Sequence, residues 1–221
     1  MKTFIILLIL LSFSMTSVAL NTEEQRWVDA VSKTYGPRAG KRTETWRSEL
    51  EKLKNQPESS KLAGVNSFFN QLNFVNDIDL WAKNDYWATP LEFIGSNAGD
   101  CEDFTIAKYF SLLELGVSDK KLRLVYVKAI ELNQFHMVLA YYEKSSSVPV
   151  ILDNINPVIK PATERRDLLP IYSFNGKNLW LMKEKASGQL AGTSSRLSLW
   201  NDLRSRNKSL KLNKPKLNYN E

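Results

Sequence analysis

The hydrophobic period of the chain changes once, just after Gly116, and that change limits the folds open to it. Upstream, apolar residues recur at helical spacing. Residues 22–35 open with Thr22 three positions before Gln25, a pairing suited to a capping box, and halt at Gly36-Pro37. Residues 43–55 place Trp46, Leu50 and Leu53 on one face before Pro57, and residues 59–72 align Leu62, Val65, Phe68, Phe69 and Leu72. An aromatic connection follows, Trp81 and then Tyr86-Trp87-Ala88-Thr89-Pro90, in which the proline biases Thr89 away from helix. A fourth helix is expected over residues 101–115, ending at Gly116. Downstream, residues 122–127, 136–142, 148–152 and 179–182 read as strands rich in β-branched and aromatic side chains. Helices first and strands afterwards predict an α+β domain, with the fourth helix packed on an antiparallel sheet.

The N-terminus has the pattern of a secretory signal. Lys2 supplies the positive charge, Phe4 through Leu11 the apolar run, and Ser17-Val18-Ala19 the small-residue cleavage site. The run is short for a bilayer span and is followed by Ser12 and Ser14; an uncleaved anchor is the alternative. The chain is therefore expected to divide into a signal peptide at 1–19, one domain over 20–186 and a polar, basic tail over 187–221. The 30 Lys and Arg against 24 Asp and Glu leave a net charge of +6. Much of it falls in that tail, at Arg204, Arg206, Lys208, Lys211, Lys214 and Lys216, where it reads as a solvated end and not a nucleic-acid arm. Neither a P-loop nor zinc-type Cys/His spacing nor an internal repeat occurs, and nucleic acid is not an expected partner.

An exported domain with one cysteine has no internal disulfide, so its thiol pairs between molecules, is an inert small hydrophobe, or is reactive. Cys101 lies in Gly99-Asp100-Cys101-Glu102-Asp103-Phe104, a polar turn opening into the fourth helix. At a helix N-terminus the free backbone N–H groups and the dipole favour a thiolate. His136, the only histidine, falls in one strand and Asp153 ends another, 35 and 17 residues further on in turn. Cys101, His136 and Asp153 thus supply a nucleophile, a base and an orienting carboxylate, provided that His136 is not simply a satisfied core residue. Asp100, Glu102 and Asp103 crowd the cysteine with negative charge, which alone opposes thiolate formation. They are either first-turn acids answering the helix dipole or oxygen ligands for a cation such as Ca²⁺.

Several separate motifs carry a resemblance. Asp85-Tyr86-Trp87-Ala88-Thr89-Pro90-Leu91-Glu92, Gly99 to Phe104 with Ala107-Lys108-Tyr109, His136-Met137-Val138-Leu139, Leu152-Asp153-Asn154 and Tyr172-Ser173-Phe174-Asn175 occur in order between residues 65 and 182. Together they resemble the bacterial transglutaminase-like cysteine proteinases, and among these the periplasmic adhesin proteases. The resemblance implies a papain-like core with Cys101, His136 and Asp153 as the triad. It also implies Ca²⁺ dependence through Asp100 and Glu102, with Asp103 assisting. The implied substrate is the N-terminal region of a large surface adhesin, cut so as to release cells from biofilm. The implied partner is an inner-membrane receptor for cyclic di-GMP that sequesters the protease in the periplasm. Trp87 reads either as a core aromatic or as oxyanion support beside the Cys101 N–H, while Arg165 and Arg166 read as surface charges. Two rival functions keep the same fold: an acyltransferase that crosslinks proteins, and a peptide-binding module that does not cut.

Overall fold

Asn21 starts the first helix, α1 (Thr22–Tyr35), by accepting from the N–H groups of Glu23 and Glu24, while Glu24 reaches back to the Asn21 N–H at 2.8 Å. The capping box therefore sits one residue before the Thr22–Gln25 pair. An asparagine oxygen caps as well as a threonine hydroxyl, and Glu24 is then at the return position. The computed structural model describes residues 20–182 and 188–220, so the signal expected at 1–19 and the boundary expected after 186 lie outside the described residues. Gly36, at φ 102°, ends α1, and Pro37 begins α2 (Pro37–Leu53) instead of merely stopping the helix before it. Proline suits that position because its missing N–H would have no helical acceptor there. α3 (Glu58–Phe69), α4 (Asp77–Leu80), α5 (Pro90–Ser96) and α6 (Cys101–Glu114) follow. Between them β1 (Asn73–Phe74) and β2 (Ala98–Gly99) form a short parallel ladder.

The remaining strands are β3 (Leu122–Ala129), β4 (Gln134–Tyr141), β5 (Val150–Leu152), β6 (Lys160–Pro161), β7 (Leu168–Phe174), β8 (Asn178–Met182) and β9 (Gly188–Thr193). They form one sheet in the order β6-β5-β4-β3-β7-β8-β9, every pair antiparallel. Alternation sends Leu122, Leu124, Met137, Leu139, Leu152 and Phe174 to the face that packs on α6. Val125, Val127, Val138, Ala140 and Ile151 form a smaller cluster on the other face. α3 and α5 pack on α6 as well as the sheet does, so Asp103, Ile106, Ala107 and Leu112 are all fully buried. Because the helix is covered on nearly every side, its polar residues Asp103, Thr105, Lys108 and Ser111 are buried along with the apolar ones. Among the described residues no helix is long and apolar enough to cross a membrane.

The C-terminal residues differ most from the sequence expectation. In place of a solvated tail, β9 extends the sheet, and α7 (Ser198–Ser209) buries Trp200, Leu203 and Arg206. Trp200 packs on Tyr109, Phe110 and Phe174, with ring centroids 5.8, 5.7 and 5.3 Å apart. The irregular segment beyond α7 returns across α4 and α1: Lys216 N–H donates to Leu80 O at 2.6 Å and Asn213 O accepts from Tyr35 Oη at 2.6 Å. Three large buried side chains, three residues apart on one face of α7, anchor this segment; only two of them are apolar, too few to register as an apolar pattern.

Candidate active site

Cys101 is the first residue of α6, with Asp100 as its N-cap. The thiol is nearly buried and its Sγ donates to Glu102 Oε2 at 2.9 Å. Burial first, then Glu102 and Asp100, push the thiol well above its ordinary value, while the Met137 N–H on β4 pulls the other way. Thr105, one turn along α6, donates to Met137 O at 2.9 Å and fixes the helix against that strand. The cysteine therefore lies beside the residue that follows His136.

His136 and Asp153 are brought together by sheet register. Leu139 pairs with Leu152, so residue 153 falls across from Val138 and on the same face as His136. His136 Nε2 and Asp153 Oδ1 are 2.8 Å apart, both side chains essentially inaccessible to solvent. Asp153 Oδ1 also accepts from the Ile155 N–H at 3.0 Å, and Oδ2 accepts from Arg165 Nη2 at 2.7 Å. Burial raises this carboxyl, yet His136, Arg165 and the Ile155 N–H outweigh it and hold the group down at about 2. Arg165 is thus no surface charge: it is buried and grips Asp153 and Asp167 at once. Arg166 beside it is exposed, as its sequence reading expects. His136, Asp153 and Arg165 line a cavity of about 300 Å³ with Leu132, Ile155 and Leu168. Lys108, seven residues along α6 from the thiol, is buried beneath this group; burial lowers it to about 7 and Asp153 opposes that.

A second cluster lies under the turn that carries Cys101. Carboxylate oxygens of Asp77, Asp100 and Asp103 lie within 4.8 Å of one another. Glu102, expected among these ligands, accepts from the Cys101 thiol and also lies close enough to Asp100 to raise its carboxyl. Asp77 takes the third place because the β1–β2 ladder, Phe74 against Gly99, sets α4 next to the start of α6. One oxygen of Asp77 accepts from the Tyr86 N–H at 2.5 Å and one of Asp103 from the Ala88 N–H at 2.7 Å. Their other oxygens, Asp77 Oδ1 and Asp103 Oδ2, and Asp100 Oδ1, are buried without a hydrogen-bond partner. Asp100 also makes no side-chain cap to its own helix, the usual use of an aspartate there. Burial, and then the neighbouring acids, push Asp100 up to about 12 and raise Asp103 strongly; burial takes Asp77 to about 6. Three orphaned hard oxygens in one buried spot fit a calcium ion. Gly99 keeps the spot open, since a Cβ there would sit 2.4 Å from Asp103 Oδ2.

Trp87, between the two N–H donors, is buried and stacks on Phe174 at 5.7 Å. Its Nε1 makes no full hydrogen bond, although it eases the Asp85 carboxyl that burial and Glu102 raise. The ring packs in the core at the edge of the site.

The family model of the bacterial transglutaminase-like cysteine proteinases matches residues 37–180. Among solved structures, LapG of Legionella pneumophila is 40% identical, with a TM-score of 0.73, and the match covers 83% of this chain and 96% of that one. The calcium-bound form of Legionella pneumophila LapG matches at 40% identity and a TM-score of 0.72, covering 83% of this chain and 98% of that one. No curated protein matches.

Proposed function

Since the chain belongs to the bacterial transglutaminase-like cysteine proteinases, we propose that it is a calcium-dependent periplasmic endopeptidase that cleaves the N-terminal region of a large surface adhesin and so governs release from biofilm. One observation carries the catalytic part: a lone thiol at the first residue of a buried helix, seated beside Met137, next in the chain to a histidine already bonded to a buried aspartate. In this reading Cys101 Sγ attacks the scissile carbonyl carbon and its proton passes to His136. With Nε2 engaged by Asp153, the nitrogen left to take that proton is Nδ1. Asp153, itself held by Arg165, stabilises the imidazolium that forms. The Cys101 N–H, among those a helix leaves without an internal acceptor, meets the developing oxyanion. His136 returns the proton to the leaving amine, and water then hydrolyses the thioester with His136 as base.

Asp77, Asp100 and Asp103 would hold the calcium, which when bound supplies positive charge against the acids that keep the thiol protonated. The calcium-bound structure of Legionella LapG supports that choice of ion. The signal-like N-terminus supports export, and the ordered set of sequence motifs supports the adhesin and an inner-membrane cyclic di-GMP receptor as partners. The test is incubation with the N-terminal region of a large adhesin from the same cell, in calcium and in excess chelator. Two fragments are expected in calcium and none in chelator. Equal cleavage in both removes the calcium requirement, and no cleavage in either removes the adhesin as substrate.

A further inference from the structure

The C-terminal helix places one buried cation on the turn that orients the acidic cluster. Arg206 of α7 is nearly inaccessible, and its fork donates Nη2 to Trp87 O at 2.6 Å and Nη1 to Glu92 Oε2. Its guanidinium also stacks on the Tyr86 ring, 4.6 Å from the centroid, and Nε reaches Asp202 at 2.8 Å. Glu92 is fully buried and gathers the same turn: Oε2 accepts from the Thr89 N–H at 2.8 Å and Oε1 from Tyr86 Oη at 2.8 Å. The Asn213 N–H, beyond α7, completes Oε1 at 2.8 Å. Tyr86 and Ala88 flank the gripped Trp87 carbonyl, and their N–H groups fix Asp77 and Asp103.

We propose that Arg206 is a positioning residue: by clamping the Trp87 carbonyl and Glu92 together, it holds the Tyr86–Ala88 backbone so that Asp77 and Asp103 aim their free oxygens at one cation. This rests on the calcium reading of that cluster. A buried ion pair is no bargain for stability alone, since apolar side chains of like volume pack as well or better. What apolar side chains cannot do is bridge a carbonyl and a carboxylate in fixed geometry, which the planar guanidinium does. The C-terminal segment is then part of the metal site at one remove, without contributing a ligand.

The experiment is a calcium titration by calorimetry on the purified protein and its Arg206→Met and Arg206→Lys variants, with melting temperatures in chelator and in calcium. Arg47→Met is the control, because Arg47 is equally buried but pairs with Glu24 of α1 and Glu114 at the far end of α6, away from the acidic cluster. Loss of a group that orients metal ligands costs ~10–100-fold in affinity, so Arg206→Met should bind calcium at least ~10-fold more weakly. Arg47→Met should lower the melting temperature while binding calcium as the wild type does. Arg206→Lys keeps a charge for Glu92 but not the fork; it should fold, and still bind more weakly than wild type. If Arg206→Met does not fold, Arg206→Lys alone decides. Wild-type affinity in a folded Arg206 variant overturns the clamp and leaves the calcium reading intact. A wild type that binds no calcium overturns the calcium reading, and the clamp with it.

Discussion

Replacing Arg165 with methionine removes the guanidinium that pairs with a carboxylate that has no access to water. Asp153 is held at about 2 from an ordinary 3.8, which corresponds to ~2 kcal/mol in favour of the folded state at neutral pH. Removing one partner of a buried pair costs ~3–5 kcal/mol when nothing else compensates. Here His136 and the Ile155 N–H remain on Oδ1, so ~2–3 kcal/mol is the expected loss at pH 7. The sign with pH follows from the depressed carboxyl. Its contribution is complete above the unfolded value near 4 and disappears as pH falls through about 2. The difference between wild type and Arg165→Met should therefore shrink steadily from pH 5 toward pH 2. Urea unfolding at a series of pH values measures this directly. A difference below ~0.5 kcal/mol at pH 7, the range of an ordinary surface change, would refute the reasoning. So would a large difference that stays constant into acid.

Three other outcomes are expected. Asp77→Asn should abolish the rise in melting temperature on adding calcium, whereas Glu102→Gln should keep that rise and speed thiol alkylation, because Glu102 holds the thiol proton; scanning calorimetry and alkylation rates separate the two, and the reverse result would restore Glu102 as the ligand. Gly99→Ala should cost ~1–3 kcal/mol through overpacking and blunt the calcium response, as its Cβ would meet Asp103 and Phe93 at 2.4 and 2.8 Å; an unchanged response would show that the cluster does not depend on this close approach. Trp200→Ala should destabilise by ~3–5 kcal/mol in urea, the cost of emptying a core indole, and a loss typical of a tail residue would contradict the packing of α7.

The period of the sequence carried the architecture because a helix face and a pleated strand each leave a local apolar signature. The spans of α1 and α6 and the antiparallel sheet on α6 follow from it, while Pro90 accounts for Thr89 outside the helix. What the sequence did not disclose depends on contacts across long separations. Asp77 joins Asp100 and Asp103 only through a two-residue parallel ladder, too short for any local pattern. Arg165 looks like one of two neighbouring charges, and only the fold around Asp153 selects it over Arg166. Residues 188–220 read as polar because their apolar anchors, Trp200 and Leu203, are few and the segment beyond α7 is held by backbone groups and by the Asn213 and Asn220 side chains, polar residues that look like those of a solvated end. Glu102 adjoins Asp100 and Asp103 in sequence, and only the folded turn sets its carboxylate against the Cys101 thiol.

The central claim, hydrolysis through Cys101, is tested most directly by the products formed from an adhesin fragment in ¹⁸O-labelled water. Intact-mass spectrometry with calcium present should give two fragments, with labelled oxygen in the new carboxyl terminus, and Cys101→Ala should give neither. An amine adduct in place of the labelled carboxylate, or fragments from Cys101→Ala at the wild-type rate, would contradict it.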